Sequence, residues 1–188
     1  MQRYFGALTM FLLIAMVLTR IAMLKTRGVS AMHFGQTDKS DFLLPPFVLF
    51  YFYTVSAHAF GLPTPGGSAF FSLVVAGWAG VVLCTAGLLL MAWSLLSFGR
   101  SFRVGIDAEH PDKLITTGIF AITRNPIYVA FGLVLLGQFL LFPNWVTLIF
   151  LVCGAVVIHR QVLREERFLR RHYGPAYVDY TDRVRRYL

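Results

Sequence analysis

Residues 122–166 read ITRNPIYVAFGLVLLGQFLLFPNWVTLIFLVCGAVVIHRQVLREE. Two apolar runs, at about 127–142 and about 145–160, flank the pair Pro143-Asn144. A membrane span takes about 20 apolar residues, somewhat fewer inside a helical hairpin. A two-residue Pro-Asn connection turns the chain sharply, so these runs are expected to pair as antiparallel helices. The polar residues gather at the two outer ends, Thr123-Arg124-Asn125 before the first run and His159 onward after the second.

Upstream lie three more apolar runs, at about 4–24, about 42–60 and about 70–98, the last long enough to tilt or project beyond a bilayer. The 188-residue chain is 57% hydrophobic and only 14% charged, where a soluble domain carries about a quarter charged residues. Its mean hydropathy is +0.66. A soluble core of this size has no place for so much apolar surface. The fold class expected is an all-α integral membrane protein of about five transmembrane helices, with a short helical hairpin and a C-terminal cytosolic helix. The first run is too long for a signal-peptide core and lacks a small-residue cleavage site, so it reads as a retained span.

All but one of the 17 Lys and Arg residues, Arg3, fall on one side of this arrangement. They follow the first span (Arg20, Lys25, Arg27, Lys39), separate the third and fourth (Arg100, Arg103, Lys113, Arg124) or follow the fifth. The positive-inside rule makes that side the cytosol, with the N-terminus outside and the C-terminus inside. The same rule accounts for the net charge of +8, and no groove-binding motif accompanies it, so nucleic acid is not an expected partner. Cys84 and Cys153 sit in apolar runs as small buried hydrophobes. Ala76, Gly80 and Cys84 repeat small residues every fourth position, a close helix-packing face. His33, His58, His110, His159 and His172 show no ligand spacing, so no metal is expected, and no nucleotide-loop or hydrolase motif occurs.

Two polar segments share the cytosolic side. In the first, Gly99 to Pro126, Asn125-Pro126 opens span four: Asn is a strong N-cap and Pro at the first helical position wastes no donor. The free amides there suit an anion, and Arg124 beside them suits a carboxylate or phosphate. In the second, span five is expected to continue as a helix. Val162, Glu166, Leu169 and Tyr173 share one stripe, and Gln161, Glu165, Phe168 and His172 the next. Carboxylates on such faces are costly without a cation or a ligand. Arg164, Arg167 and Arg170 are the local candidates for pairing.

Taken in order, these segments resemble the isoprenylcysteine carboxyl methyltransferase family and its phospholipid methyltransferase relatives. The matching pieces are Leu114-Ile115-Thr116-Thr117-Gly118-Ile119-Phe120, then Arg124-Asn125-Pro126-Ile127-Tyr128, the hairpin, Glu165-Glu166, and Tyr173-Gly174-Pro175-Ala176-Tyr177-Val178-Asp179-Tyr180. The family pattern runs roughly LVTxGxY, RHPxY, hairpin, EE, FGxxYxxYxxxVxR, and the likeness covers about 95–188. It implies S-adenosylmethionine bound in a cytosolic pocket by Leu114, Ile115, Phe120, Arg124, Asn125, Pro126, Ile127 and Glu165, with Tyr128 and Glu166 as close neighbours. Glu165 would offset the sulfonium and amine, and Arg124 or the helix N-terminus would take the cofactor carboxylate; Arg124 and Glu165 are thus the catalytic candidates.

The departures from the pattern bear on the acceptor more than on the cofactor. Asn125 replaces a His and Phe120 a Tyr. Asp112 and Gly105 stand where the family has a His and a cofactor-contacting Gln. Gln161 stands where the carboxyl methyltransferases hold the substrate carboxylate with an Arg, a task open to Arg160 or Arg164. The implied function is a membrane methyltransferase acting on a lipophilic or lipidated acceptor that enters from the bilayer. Residues 1–98 would shape the acceptor side, and residues 99–188 the cofactor half. The alternatives are an NADPH-dependent sterol- or steroid-type reductase, which shares a related C-terminal architecture, and a non-catalytic scaffold in which Arg124 and Glu165 merely pair with neighbours.

Overall fold

A computed structural model describes residues 1–26, 44–64, 67–98 and 114–188. The Gly105 and Asp112 positions, and the basic residues Arg27, Lys39, Arg100, Arg103 and Lys113, lie outside the described residues. The described chain forms α1 (Gln2–Lys25), α2 (Leu44–Phe60), α3 (Val74–Phe98), a short 3-10 turn (Gly118–Ala121), α4 (Pro126–Leu141), α5 (Trp145–Tyr173) and α6 (Pro175–Arg183). Among the described residues the sole β-type pairing is an isolated bridge between Thr123 and Arg185. The protein is all-helical, as its hydropathy pattern predicts.

Among the described residues three helices, spanning Gln2–Met23, Val74–Phe98 and Trp145–Tyr173, are long and apolar enough to cross a membrane; Pro46–Phe60 and Pro126–Leu141 are apolar but shorter. At about 1.5 Å per residue, the 29-residue α5 is about 43 Å long, more than the ~30 Å hydrocarbon core. The helix continues past the apolar run to Tyr173, as the sequence predicts, and exceeds a core of that thickness by about 13 Å. The third apolar run becomes helical only at Val74. Residues 70–73 are held back by the hairpin turn: Phe70 N donates to Pro143 O (2.7 Å), and its ring meets Trp145 edge-on at 4.9 Å.

The hairpin is built by its turn. Asn144 caps α5 through a reciprocal pair, its side chain accepting from Thr147 N (3.1 Å) while Thr147 Oγ1 accepts from Asn144 N (3.2 Å). The remaining Asn144 donor reaches His58 Nε2 (3.0 Å) at the end of α2. Gln2 Nε2 at the start of α1 donates to Val74 O (3.2 Å) at the start of α3. One end of the bundle thus collects the start of α1, the end of α2, the start of α3 and the α4–α5 turn. The ends that carry the basic residues gather at the other.

The α3–α4 seam is set by small residues. A Cβ at Gly80 would stand 2.7 Å from Gly137 O, and one at Gly87 would stand 2.9 Å from Ala130 O. Backbones this close exclude any side chain at those positions. Gly80 and Cys84 lie on this face as expected; Ala76 is half-buried, and Gly87 extends the face instead. Around it, Ala7, Met10, Leu13, Tyr51, Val55, Met91, Leu95, Val134 and Phe150 form the core. Outward, Val75 is 81% and Leu96 78% exposed, a surface suited to lipid rather than water.

Candidate active site

The polar end of the bundle is assembled from four places: the end of α3, residues 114–125, the middle of α5, and α6 with the segment that follows it. The 3-10 turn is seated first. Gly118 has φ +65°, and a Cβ on it would stand 2.7 Å from Ser97 Oγ of α3. Glycine alone satisfies both the dihedral and the contact. Phe120 is buried with its ring edge-on to Phe98 at 4.6 Å. Its carbonyl accepts the Tyr180 hydroxyl of α6 (2.7 Å).

Next comes a parallel crossing. Arg124 N donates to Arg185 O (3.0 Å), and Thr123 Oγ1 donates to Arg186 O (3.3 Å). The segment after α6 therefore lies along Thr123-Arg124-Asn125. Asn125 occupies the N-cap of α4 and Pro126 its first turn, as the sequence predicts, but the Asn125 side chain makes no capping bond. Its amide is drawn elsewhere, donating to Glu166 Oε1 (3.2 Å) and Arg186 O (3.1 Å). The first amides of α4 are left without a side-chain acceptor from the cap.

Glu166 is the hub. It is 9% exposed, and its two oxygens divide the cations. Oε1 faces Arg124 Nη2 at 3.2 Å. Oε2 accepts from Arg186 Nε (3.0 Å) and faces Arg186 Nη2 at 2.9 Å. The sequence offers Arg164, Arg167 and Arg170 as local partners; the partners found come instead from two other segments. Arg167 Nε turns to Leu163 O of its own helix (3.2 Å). The Glu166 carboxylate accepting from Arg186 raises that guanidinium above its ordinary range. Tyr177, buried under the same cluster, has its hydroxyl pushed up to about 12, by burial first and then by Glu166.

Arg124 is not exhausted by Glu166. Nη1 donates to Thr181 O (3.2 Å), whereas Nε is buried without a hydrogen-bond partner among the described residues. Buried donors are nearly always satisfied, and an orphan beside an open helix N-terminus is the kind of gap a ligand or water fills. One carboxylate between two guanidiniums also leaves the cluster with a net positive charge.

Glu165, the neighbour of Glu166, has different company. Among the described residues its partners are neutral donors: the Tyr128 hydroxyl of α4 and Gln161 Nε2 (3.0 Å) one turn earlier on α5. Gln161 thus engages Glu165. Arg160 and Arg164 are exposed on the same helix, Leu114, Ile115 and Ile127 are half-buried, and Pro126 is buried. The structure brings together two separately bonded sets at one end of the bundle, Arg124 and Asn125 on Glu166 and Tyr128 and Gln161 on Glu165. Sequence reasoning named Thr123 and Tyr180 without giving either a role, and missed Thr181 and Arg186. Arg186 stands at the last Arg of the family pattern, the one signal that marked it.

The family model for phospholipid methyltransferases matches residues 75–176, more than half of the chain. Among curated proteins, the chain is similar to protein-S-isoprenylcysteine O-methyltransferase B of Arabidopsis thaliana, 31% identical over 111 residues that cover 56% of this chain and 55% of that protein. It is similar to the probable protein-S-isoprenylcysteine O-methyltransferase of Oryza sativa subsp. indica, 29% identical over 110 residues covering 57% and 58%. The protein-S-isoprenylcysteine O-methyltransferase of Schizosaccharomyces pombe is 31% identical over 101 residues, 52% of this chain and 43% of that protein. The chain spans about half the length of the curated relatives it matches.

Proposed function

Because this chain belongs to the phospholipid methyltransferase family, we propose that it is a membrane methyltransferase that takes S-adenosylmethionine at its polar end and methylates a lipophilic or lipidated acceptor. The observation that carries this reading is the pairing of opposite electrostatic characters at neighbouring positions. Glu165 has neutral partners only, among the described residues, and the adjacent Arg124–Glu166–Arg186 cluster has surplus positive charge. A cofactor with a cationic sulfonium and amine beside a carboxylate fits that pair, and Arg124 Nε, without a partner among the described residues, adds a donor for the carboxylate.

In this reading Glu165 faces the positive end of the cofactor and Tyr128 fixes the carboxylate by its hydroxyl. Arg124 and the uncapped first amides of α4 receive the carboxylate end. Leu114, Ile115, Phe120, Pro126 and Ile127 give the adenosine apolar walls, with the Phe120 ring held edge-on by Phe98. When bound, the cofactor supplies an electrophilic methyl group whose transfer needs in-line alignment above all. Gln161, Arg160 and Arg164 lie on α5 toward the acceptor. The relatives' names specify a prenylated cysteine, so a prenylcysteine-like carboxylate is the first acceptor to assay, with lipid acceptors alongside it. The acceptor enters from the bilayer between helices, and the basic end faces the cytosol.

The test is calorimetry in detergent with S-adenosylhomocysteine, S-adenosylmethionine and NADPH. Saturable binding of the first two and none of the third is expected. A folded protein that binds neither S-adenosyl compound overturns the reading, and binding of NADPH instead restores the reductase alternative.

A further inference from the structure

The segment after α6 delivers a second guanidinium to Glu166, and the cofactor reading above does not use it. Arg186 takes Oε2 by Nε and Nη2, while Arg124 takes Oε1 by Nη2. The Arg186 side chain is 40% exposed, against 10% for Arg124 and 11% for Glu166. Arg186 is the more solvent-screened of the two cations on Glu166. Its position has an electrostatic consequence. Were Arg124 the sole cation on Glu166, the two would form a neutral pair, and Arg124 would hold little attraction for a further anion. With Arg186 engaged on the other oxygen, the carboxylate is shared, and Arg124 keeps excess positive charge and an unused Nε.

We propose that Arg186 is a positioning residue that neutralises Glu166 and so frees the buried Arg124 guanidinium to hold the carboxylate of the bound cofactor. The inference rests on the proposed use of S-adenosylmethionine. The same segment places Arg124 mechanically, since Arg185 O accepts from its backbone amide (3.0 Å) and Thr181 O from Nη1 (3.2 Å). What Arg186 adds is charge, and charge is separable from placement by substitution.

The experiment titrates two probes into the detergent-solubilised full chain: S-adenosylhomocysteine, which carries the amino-acid carboxylate, and 5′-methylthioadenosine, which lacks it. Arg186→Gln should weaken S-adenosylhomocysteine by about tenfold or more, the scale of a lost charged hydrogen bond. Methylthioadenosine affinity should stay within about twofold, since its contacts do not involve the charge on Arg124. Arg186→Lys should recover most of the loss. The double variant Glu166→Gln with Arg186→Gln also removes the carboxylate that would otherwise neutralise Arg124 and should bind S-adenosylhomocysteine more tightly than Arg186→Gln alone. Equal weakening of both probes, or a double variant weaker than the single, overturns the proposal and leaves Arg186 as a structural tie. An unchanged Arg186→Gln does the same. A folded wild-type chain that binds neither probe overturns the cofactor reading itself, a result distinct from all of these. Should Arg186→Gln lose its helical content in circular dichroism, Arg186→Lys and the double variant carry the comparison.

Discussion

Glu165 and Glu166 are consecutive on α5 and have opposite partners: the first accepts from a phenol and an amide, the second from two guanidiniums. Helical geometry causes the split. Neighbours on a helix are turned about 100° apart, so one carboxylate faces α4 at Tyr128 and the other faces the crossing of Asn125 with Arg186. The sequence pattern EE therefore places two carboxylates in two different electrostatic settings.

Alanine at each position should separate those settings. Glu166→Ala leaves Arg124 buried without its counter-charge, and breaking a buried pair from one side costs about 3 kcal/mol or more. Its melting temperature in detergent should fall by several degrees. Glu165→Ala removes a group held by neutral donors and should melt close to the wild type, while S-adenosylhomocysteine binding by calorimetry weakens more than about tenfold. A Glu165→Ala protein with wild-type affinity would remove Glu165 from the pocket.

Tyr128→Phe tests the positioning of Glu165. The ring stays and the hydroxyl goes, leaving Gln161 as the donor to the carboxylate. One neutral hydrogen bond is worth about 1 kcal/mol, so affinity for S-adenosylhomocysteine should fall about threefold to tenfold with helix content unchanged. Tyr128→Phe and Gln161→Leu should each weaken binding less than Glu165→Ala does.

Alkali should loosen the α6 seat. The Tyr177 hydroxyl rises from 10.0 to about 12 in the folded chain, by burial first and then by Glu166, and Tyr180 rises with it, again by burial first. An acid whose folded value is raised stabilises fully below the unfolded value and loses that contribution as pH climbs to the folded one. The melting temperature should therefore decline between about pH 10 and about pH 12, and Tyr177→Phe should flatten part of the slope. An identical slope in that variant would place the titration elsewhere.

The fold was legible where its cause is local. Hydropathy placed α1 to α4 and the start of α5 within a few residues, because a bilayer-spanning helix needs a continuous apolar run. Pro143-Asn144 announced the hairpin because turn chemistry resides in those two residues. The site was legible in its members but not in its pairing. Arg124, Asn125 and Glu166 stand out as polar residues against apolar surroundings, yet which cation meets Glu166 depends on the segment after α6 folding back across Thr123. Helical spacing favoured Arg164, Arg167 and Arg170, since it sees three or four residues along one helix and no tertiary crossing. For the same reason Asn125 read as a cap, whereas its amide serves Glu166.

The glycines of the hairpin offer the sharpest packing test. A Cβ at Gly137 would stand 2.8 Å from Gly80 O and 2.7 Å from Cys84 Sγ, whereas a Cβ at Gly132, on the same helix, meets nothing within 4 Å. Gly137→Ala must push α3 from α4 at their closest approach, and backbone cannot yield as a side-chain tip does. Overpacking of this kind costs about 1–3 kcal/mol. Gly132→Ala only trades a flexible residue for a better helix former, a gain of up to about 1 kcal/mol. Thermal unfolding in detergent should therefore shift in opposite directions for two substitutions five positions apart on α4. If Gly137→Ala melts as high as Gly132→Ala, α3 and α4 do not approach at Gly80, and their seam must be held by other contacts.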